Sequence, residues 1–308
     1  MEELNMEKKA LVIVNPSSGR EKAEQHAEDV VKILQKKYDA VTVRKTEGAG
    51  DAKKFASDAA EEGYDLVVAM GGDGTVNEAV NGLAPHDKIP KFGIVPMGTV
   101  NDLARVLGIS LDPEEAVSVF EEEHLQAIDI GRIGDRYFNN AMSLGDISES
   151  IYQVTPEEKS RLGPLAYLVA GAKKMMEQKN IRVNLKYDGK SMDVELAALV
   201  IVLTGSIIGI QDVIPTADLE DGKLHIVLIH ELNFVEGMKL LPKVFSGEVT
   251  ESENVTYIIT DKISIESLTD ENYTSDIDGE EGPKLPFTVE ALKSHIQILV
   301  PPKNEENK

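Results

Sequence analysis

Three short loops near the start of the chain carry residue types suited to holding a polyphosphate. They read Asn15-Pro16-Ser17-Ser18-Gly19, Gly71-Gly72-Asp73-Gly74-Thr75 and Gly98-Thr99-Val100-Asn101-Asp102. Glycine lets a phosphate come close to the backbone, and a helix start points unpaired N–H groups at it. The P-loop pattern G-x-x-x-x-G-K-[ST] is absent, and so is G-x-G-x-x-G after the first strand. Farther on, acidic residues cluster in PTADLEDGKL, with Asp218 and Asp221, and in SDIDGEEG, with Asp276, Asp278, Glu280 and Glu281. There is no Cys, and the 6 His show no metal-binding spacing, which argues against zinc and against a Cys-His nucleophile.

The elements that must position these loops alternate in period. Ala10–Val14, Ala40–Lys45, Tyr64–Met70 and Phe92–Pro96 read as strands. Glu21–Lys37, Asp51–Glu62 and Val76–Leu83 have apolar residues at helical spacing, and another helix begins at Leu103–Leu107. Strands alternating with helices predict a parallel sheet with its loops gathered at the carboxyl ends of the strands, where ligands bind. From about Gln126 the pattern turns strand-like, with one helical stretch at about Leu165–Gln178. The expected fold is α/β plus β: a parallel-sheet α/β domain over 1–132, then an antiparallel β-sandwich domain over 133–294, with a cleft between them. The last strand, His295–Val300, is expected to return to the first domain with residues 295–308.

A net charge of −22 leaves no basic surface for nucleic acid. It also disfavours firm attachment to anionic lipid, apart from local Lys patches. The apolar run Ala10–Val14 is too short for a signal peptide, and no apolar stretch reaches bilayer-spanning length. A cytoplasmic protein is expected.

GGDGTVNEAVNGL followed by VPMGTVNDLAR resembles the catalytic domain shared by diacylglycerol kinases, sphingosine kinases and bacterial lipid kinases. The resemblance continues through NPSSG, AIDIG, PTADLEDGKL and DGEEG, covers nearly the whole chain, and is nearest to the soluble bacterial diacylglycerol kinases. It implies a lipid kinase that uses ATP and magnesium on a lipid alcohol, transiently at the inner face of the membrane, and it implies a homodimer. By that resemblance Asn15, Pro16, Ser17, Ser18, Gly19, Thr46, Gly71, Gly72, Asp73, Gly74, Thr75, Gly98 and Thr99 bind ATP. Asp73, Asp129 and Glu280 form a carboxylate–water–magnesium network. Asp278 takes the proton of the acceptor hydroxyl, although in some relatives the residue matching Glu280 has that role. Asp221 and the carbonyls of Asp218 and Lys223 hold a second, structural magnesium. Magnesium prefers hard oxygen ligands, so these donors suit it.

Plainer readings stand beside these. Asp188-Gly189 reads as a type I′ hairpin turn without chemistry, and Asp278-Gly279 fits the same description. Asp129 fits a polar residue at a sheet edge. The helical stretch at 165–178 fits core packing better than a lipid channel. An NAD kinase shares the Gly-Gly-Asp-Gly-Thr loop, and a nucleotide-binding regulator without catalysis is the third alternative. The segments TGSIIGIQDVIP and NNAMSLGDIS depart from the Gly-rich patterns of many relatives and leave the acceptor's identity open.

Overall fold

A computed structural model describes residues 7–19, 23–145, 180–207 and 209–302. The expected helix at 165–178 lies outside them. The chain divides into two compact units, Met1–Ile128 with Ser294–Lys308, and Asp129–Lys293. The junction falls slightly earlier than residue 132.

In the first unit, strands β1 (Lys9–Val14), β2 (Ala40–Lys45), β3 (Leu66–Gly71) and β4 (Lys91–Pro96) alternate with helices α1 (Ala23–Leu34), α2 (Asp51–Glu61) and α3 (Asp73–Leu83). The sheet order is β2-β1-β3-β4, parallel throughout. β1 and β3 are buried on both faces, so they read as continuous apolar runs rather than alternating ones. Ala10, Val12 and Val14 pack with Val30 and Leu34 of α1, while α2 and α3 pack on each other and on β1 and β3. Helix α4 (Asp102–Val106) is a short turn, followed by α5 (Pro113–Ala116) and α6 (Val119–Glu122), which the sequence pattern did not reveal.

Strand β5 (His124–Ile133) leads into the second unit. There β6 (Arg136–Phe138) pairs with β5, and β8 (Ile181–Tyr187) and β9 (Lys190–Leu196) form a hairpin. Its turn residues Asp188 and Gly189 have φ of 48° and 71°, as a type I′ turn requires. A six-stranded antiparallel sheet runs β12-β11-β10-β7-β14-β15. These are β7 (Ala141–Leu144), β10 (Ala198–Val202), β11 (Leu224–Ile229), β12 (Val255–Thr260), β14 (Thr274–Ile277) and β15 (Glu280–Lys284). The run VTYIITDKISIESL divides at Asp261 between β12 and β13 (Lys262–Ser267), which belong to different sheets. The final strand β16 (Phe287–Val300) pairs antiparallel with β13 at its start and parallel with β4 at Ile298. Helix α7 (Phe234–Ser246) is a third helix that the sequence pattern missed.

Candidate active site

In the first unit the glycine loops sit where β3 and β4 end, and they are clasped together. Gly72 and Gly98 meet back to back. A Cβ on Gly98 would lie 2.6 Å from the Gly72 Cα and 2.7 Å from Asn101 Oδ1, and one on Gly72 would lie 3.2 Å from the Gly98 Cα. Only glycine fits Gly98 without moving backbone. Asp73 makes the second clasp. Its Oδ2 accepts the Asn101 N–H and its Oδ1 the Asp102 N–H, both at 2.8 Å. These are two of the orphan donors at the start of α4, so the carboxylate caps that helix from across the site. Asn101, at φ 54°, closes its own loop by accepting the Gly98 N–H and donating to the Gly98 carbonyl, each at 2.9 Å.

The other predicted nucleotide residues join this frame. Asn15 donates its backbone N–H to the Met70 carbonyl and its side-chain amide to Thr75 Oγ1. Its Oδ1 accepts from the Ser17 N–H and hydroxyl, and its carbonyl from the Ser18 N–H. Gly19, at φ 65°, donates to the Met97 carbonyl. Pro16 is half-buried between these anchors, and Thr46 extends the β1–β2 ladder by donating to the Val14 carbonyl at 2.9 Å. Gly71 ends β3 against the Thr75 side chain. Gly74, Gly98 and Thr99 are exposed. Gly72 caps α3 without a side-chain bond, so first-turn N–H groups of that helix remain for an anion.

The second unit gathers the remaining carboxylates. Asp129 is fully buried, which corrects the sheet-edge reading: its N–H donates to the Leu219 carbonyl and its Oδ2 accepts the Gly222 N–H. It therefore locks the 218–223 loop to β5. In that loop Asp218 Oδ1 accepts the Glu220 N–H, and Asp221 Oδ1 accepts the Lys223 N–H at 2.7 Å. Asp221 Oδ2 lies 2.8 Å from Nε2 of the buried His225, whose Nδ1 faces the Tyr257 hydroxyl. Each Asp221 oxygen keeps a further lone pair, and with the carbonyls of Asp218 and Lys223 the donor set is oxygen only, which fits magnesium. Among the described residues no three His, Cys, Asp or Glu side chains form a metal cluster; a site of one carboxylate and two carbonyls is a different arrangement.

Asp278 and Gly279, at φ 49° and 86°, form the two-residue turn between β14 and β15. The Asp278 carboxylate accepts the backbone N–H groups of Asn139 at 2.9 Å, Asn140 at 3.2 Å and Ala141 at 2.8 Å. Some of the residue's surface reaches solvent, but the carboxylate itself is packed around by chain. Burial pushes its pKa up to about 7, with the neighbouring Asp276 adding to the rise and the three amides opposing it. Glu280 is exposed, and its Oε2 lies 2.9 Å from Arg136 Nη2. The turn interrupts strand alternation, and the two carboxylates have different partners, the 139–141 amides for Asp278 and Arg136 for Glu280. Arg136 and the 139–141 amides had no local signal, because their partners are far away in sequence, whereas His225 lies only four residues past Asp221 and could have been found beside that motif.

Residues 9–133 match the diacylglycerol kinase catalytic domain, and residues 147–300 match the YegS C-terminal NAD kinase beta sandwich-like domain. A diacylglycerol kinase of Staphylococcus saprophyticus is 35% identical over 98% of this chain and 99% of its own length. One of Staphylococcus aureus is 36% identical over 96% and 93%. A crystal structure from Bacillus anthracis shares the fold with a TM-score of 0.80 at 27% identity, covering 96% of each chain. Among the described residues no helix is long and apolar enough to cross a membrane. The chain belongs to the diacylglycerol kinase catalytic-domain family and is a kinase, a phosphotransferase whose phosphoryl donor is ATP.

Proposed function

We propose that this kinase transfers the γ-phosphoryl group of ATP to a lipid hydroxyl, converting diacylglycerol to phosphatidic acid. The observation that carries the donor half is the Gly72–Gly98 contact held by Asp73, beside the open start of α3. The backbone there lets phosphates approach and offers them N–H donors. Phosphoryl transfer asks mainly for positioning and charge neutralisation, which such a frame supplies. The acceptor half rests on the near full-length likeness to proteins described as diacylglycerol kinases.

Bound magnesium would supply positive charge against the phosphates, with Asp73 of the first unit as a candidate holder directly or through water. A structural ion at Asp221, Asp218 and Lys223 would brace the loop that Asp129 grips. We assign proton removal from the acceptor to Glu280 rather than Asp278, reversing the expectation drawn from resemblance. Asp278 already accepts three backbone amides, whereas Glu280 is exposed and paired with Arg136. The NAD-kinase-like description of the second domain keeps NAD as the alternative acceptor. The test is to incubate the enzyme with ATP, magnesium and either total extracted lipid or NAD, and to identify the phosphorylated product by mass spectrometry. Phosphatidic acid supports the proposal, and phosphorylated NAD alone rejects it.

A further inference from the structure

Helix α7 is amphipathic, but its outer face is apolar. Asn233 and Glu236 form a capping box at its start, and Gly247 closes it in the left-handed conformation. Leu240 and Leu241 turn inward and are only 8% exposed. Val235, Met238 and Phe245 are 59%, 47% and 43% exposed, and Pro242 is exposed as well. Positions 235, 238, 242 and 245 follow the three-then-four spacing that lines up one side of a helix. Single exposed apolar residues are ordinary; a line of them on one helix is not. Of the side chains described, the remaining exposed positions of α7 are Lys239 and Ser246, while Lys243 and the capping Glu236 are half-buried. None of these exposed positions is acidic, in a chain with 54 acidic against 32 basic residues.

We propose that this face of α7 is the surface by which the kinase docks on a membrane containing anionic lipid, with Val235, Met238, Pro242 and Phe245 entering the headgroup–acyl boundary and Lys239 at the lipid phosphates. An apolar stripe bordered by lysine is the pattern of an interfacial helix. A second copy of the chain is a poorer occupant. The stripe offers on the order of 300 Å², against about 800 Å² per partner in a stable protein interface. The acidic remainder of the chain opposes an anionic surface, so docking is weak, reversible and salt-dependent. The inference rests on the lipid-acceptor reading, since an enzyme acting on a bilayer lipid needs a place to sit on the bilayer.

The chain contains no Trp, so Phe245→Trp provides a single fluorescent reporter on this face. Vesicles of phosphatidylcholine with phosphatidylglycerol, but no acceptor, should shift its emission to the blue, and brominated acyl chains should quench it. Lys239→Gln should weaken that binding about fivefold. The triple variant Val235→Ser, Met238→Ser, Phe245→Ser should keep the wild-type melting temperature and its kcat on detergent-dispersed short-chain diacylglycerol, while losing at least about tenfold on vesicle-embedded diacylglycerol, as removal of most of the inserted apolar surface requires. Unchanged Trp emission with vesicles overturns the proposal. So does a blue shift without vesicles that grows with protein concentration alongside a doubling of mass, because the face then joins two copies. Insertion without phosphorylation of any lipid upholds the docking surface and rejects the lipid-kinase reading instead.

Discussion

Replacing Asp278 by Asn separates a structural carboxylate from a catalytic one. In the wild type Oδ1 accepts two backbone amides and Oδ2 one. Asn keeps one acceptor and turns an NH₂ toward a donor, leaving at least one buried N–H unsatisfied at about 1–3 kcal/mol. A second effect has the opposite sign. Burial raises the carboxyl from 3.8 to about 7 in the folded protein, despite the three amides. Its folded value lies above its unfolded one, so the stability linked to protonation is complete below about pH 4 and is lost as pH rises through about 7. Between pH 5 and pH 8 the wild type should lose about 2.5 kcal/mol from this group, and Asp278→Asn should lose none of that. Urea unfolding followed by circular dichroism at the two pH values reads the difference, and hydrogen exchange at Asn139, Asn140 and Ala141 reads it locally. Parallel pH dependence in both proteins would refute the reasoning. On the catalytic side, folded Asp278→Asn should retain turnover within about tenfold, short of the 10²–10⁴ expected for removing a general base.

Other outcomes follow from the same contacts. Glu280→Gln should lower kcat by about 10²–10⁴ at saturating magnesium with ATP affinity preserved; normal turnover would return the base to Asp278. Gly98→Ala should weaken ATP binding more than Gly72→Ala in isothermal titration, because its Cβ meets backbone at 2.6 Å rather than 3.2 Å; the reverse order would mean that the clasp does not shape the site. Magnesium without nucleotide should raise the wild-type melting temperature in proportion to ln(1 + [L]/Kd), and Asp221→Ala should abolish that increment. An unchanged increment moves the structural ion elsewhere.

Much of the first unit could be read from local pattern. Buried parallel strands are continuous apolar runs, and the helices between them have clear periodicity, as in α2 with Ala52, Ala56, Ala59 and Ala60 buried. The Asp188-Gly189 hairpin was equally visible, since the φ values it needs favour that dipeptide. Helix α7 was hidden by its high apolar content and by Pro242, which normally breaks a helix. The sign that could have revealed it was Asn233 followed by Glu236, a capping box just before an apolar run. The site was readable only in part. The glycine loops announce a phosphate, but nothing near Asp73 says that its carboxylate grips amides at Asn101 and Asp102. Asp278 holds amides of Asn139, Asn140 and Ala141, and Asp129 reaches Gly222, contacts that exist only after the strands have paired. A short acidic motif cannot tell a carboxylate that grips backbone from one that faces substrate.

The most direct measurement is transfer of labelled phosphate from [γ-³²P]ATP, with magnesium, in one reaction containing both diacylglycerol vesicles and NAD. Label should appear in phosphatidic acid, be lost with Glu280→Gln and be largely kept with Asp278→Asn. Label in the nucleotide fraction, or in neither product, would contradict it.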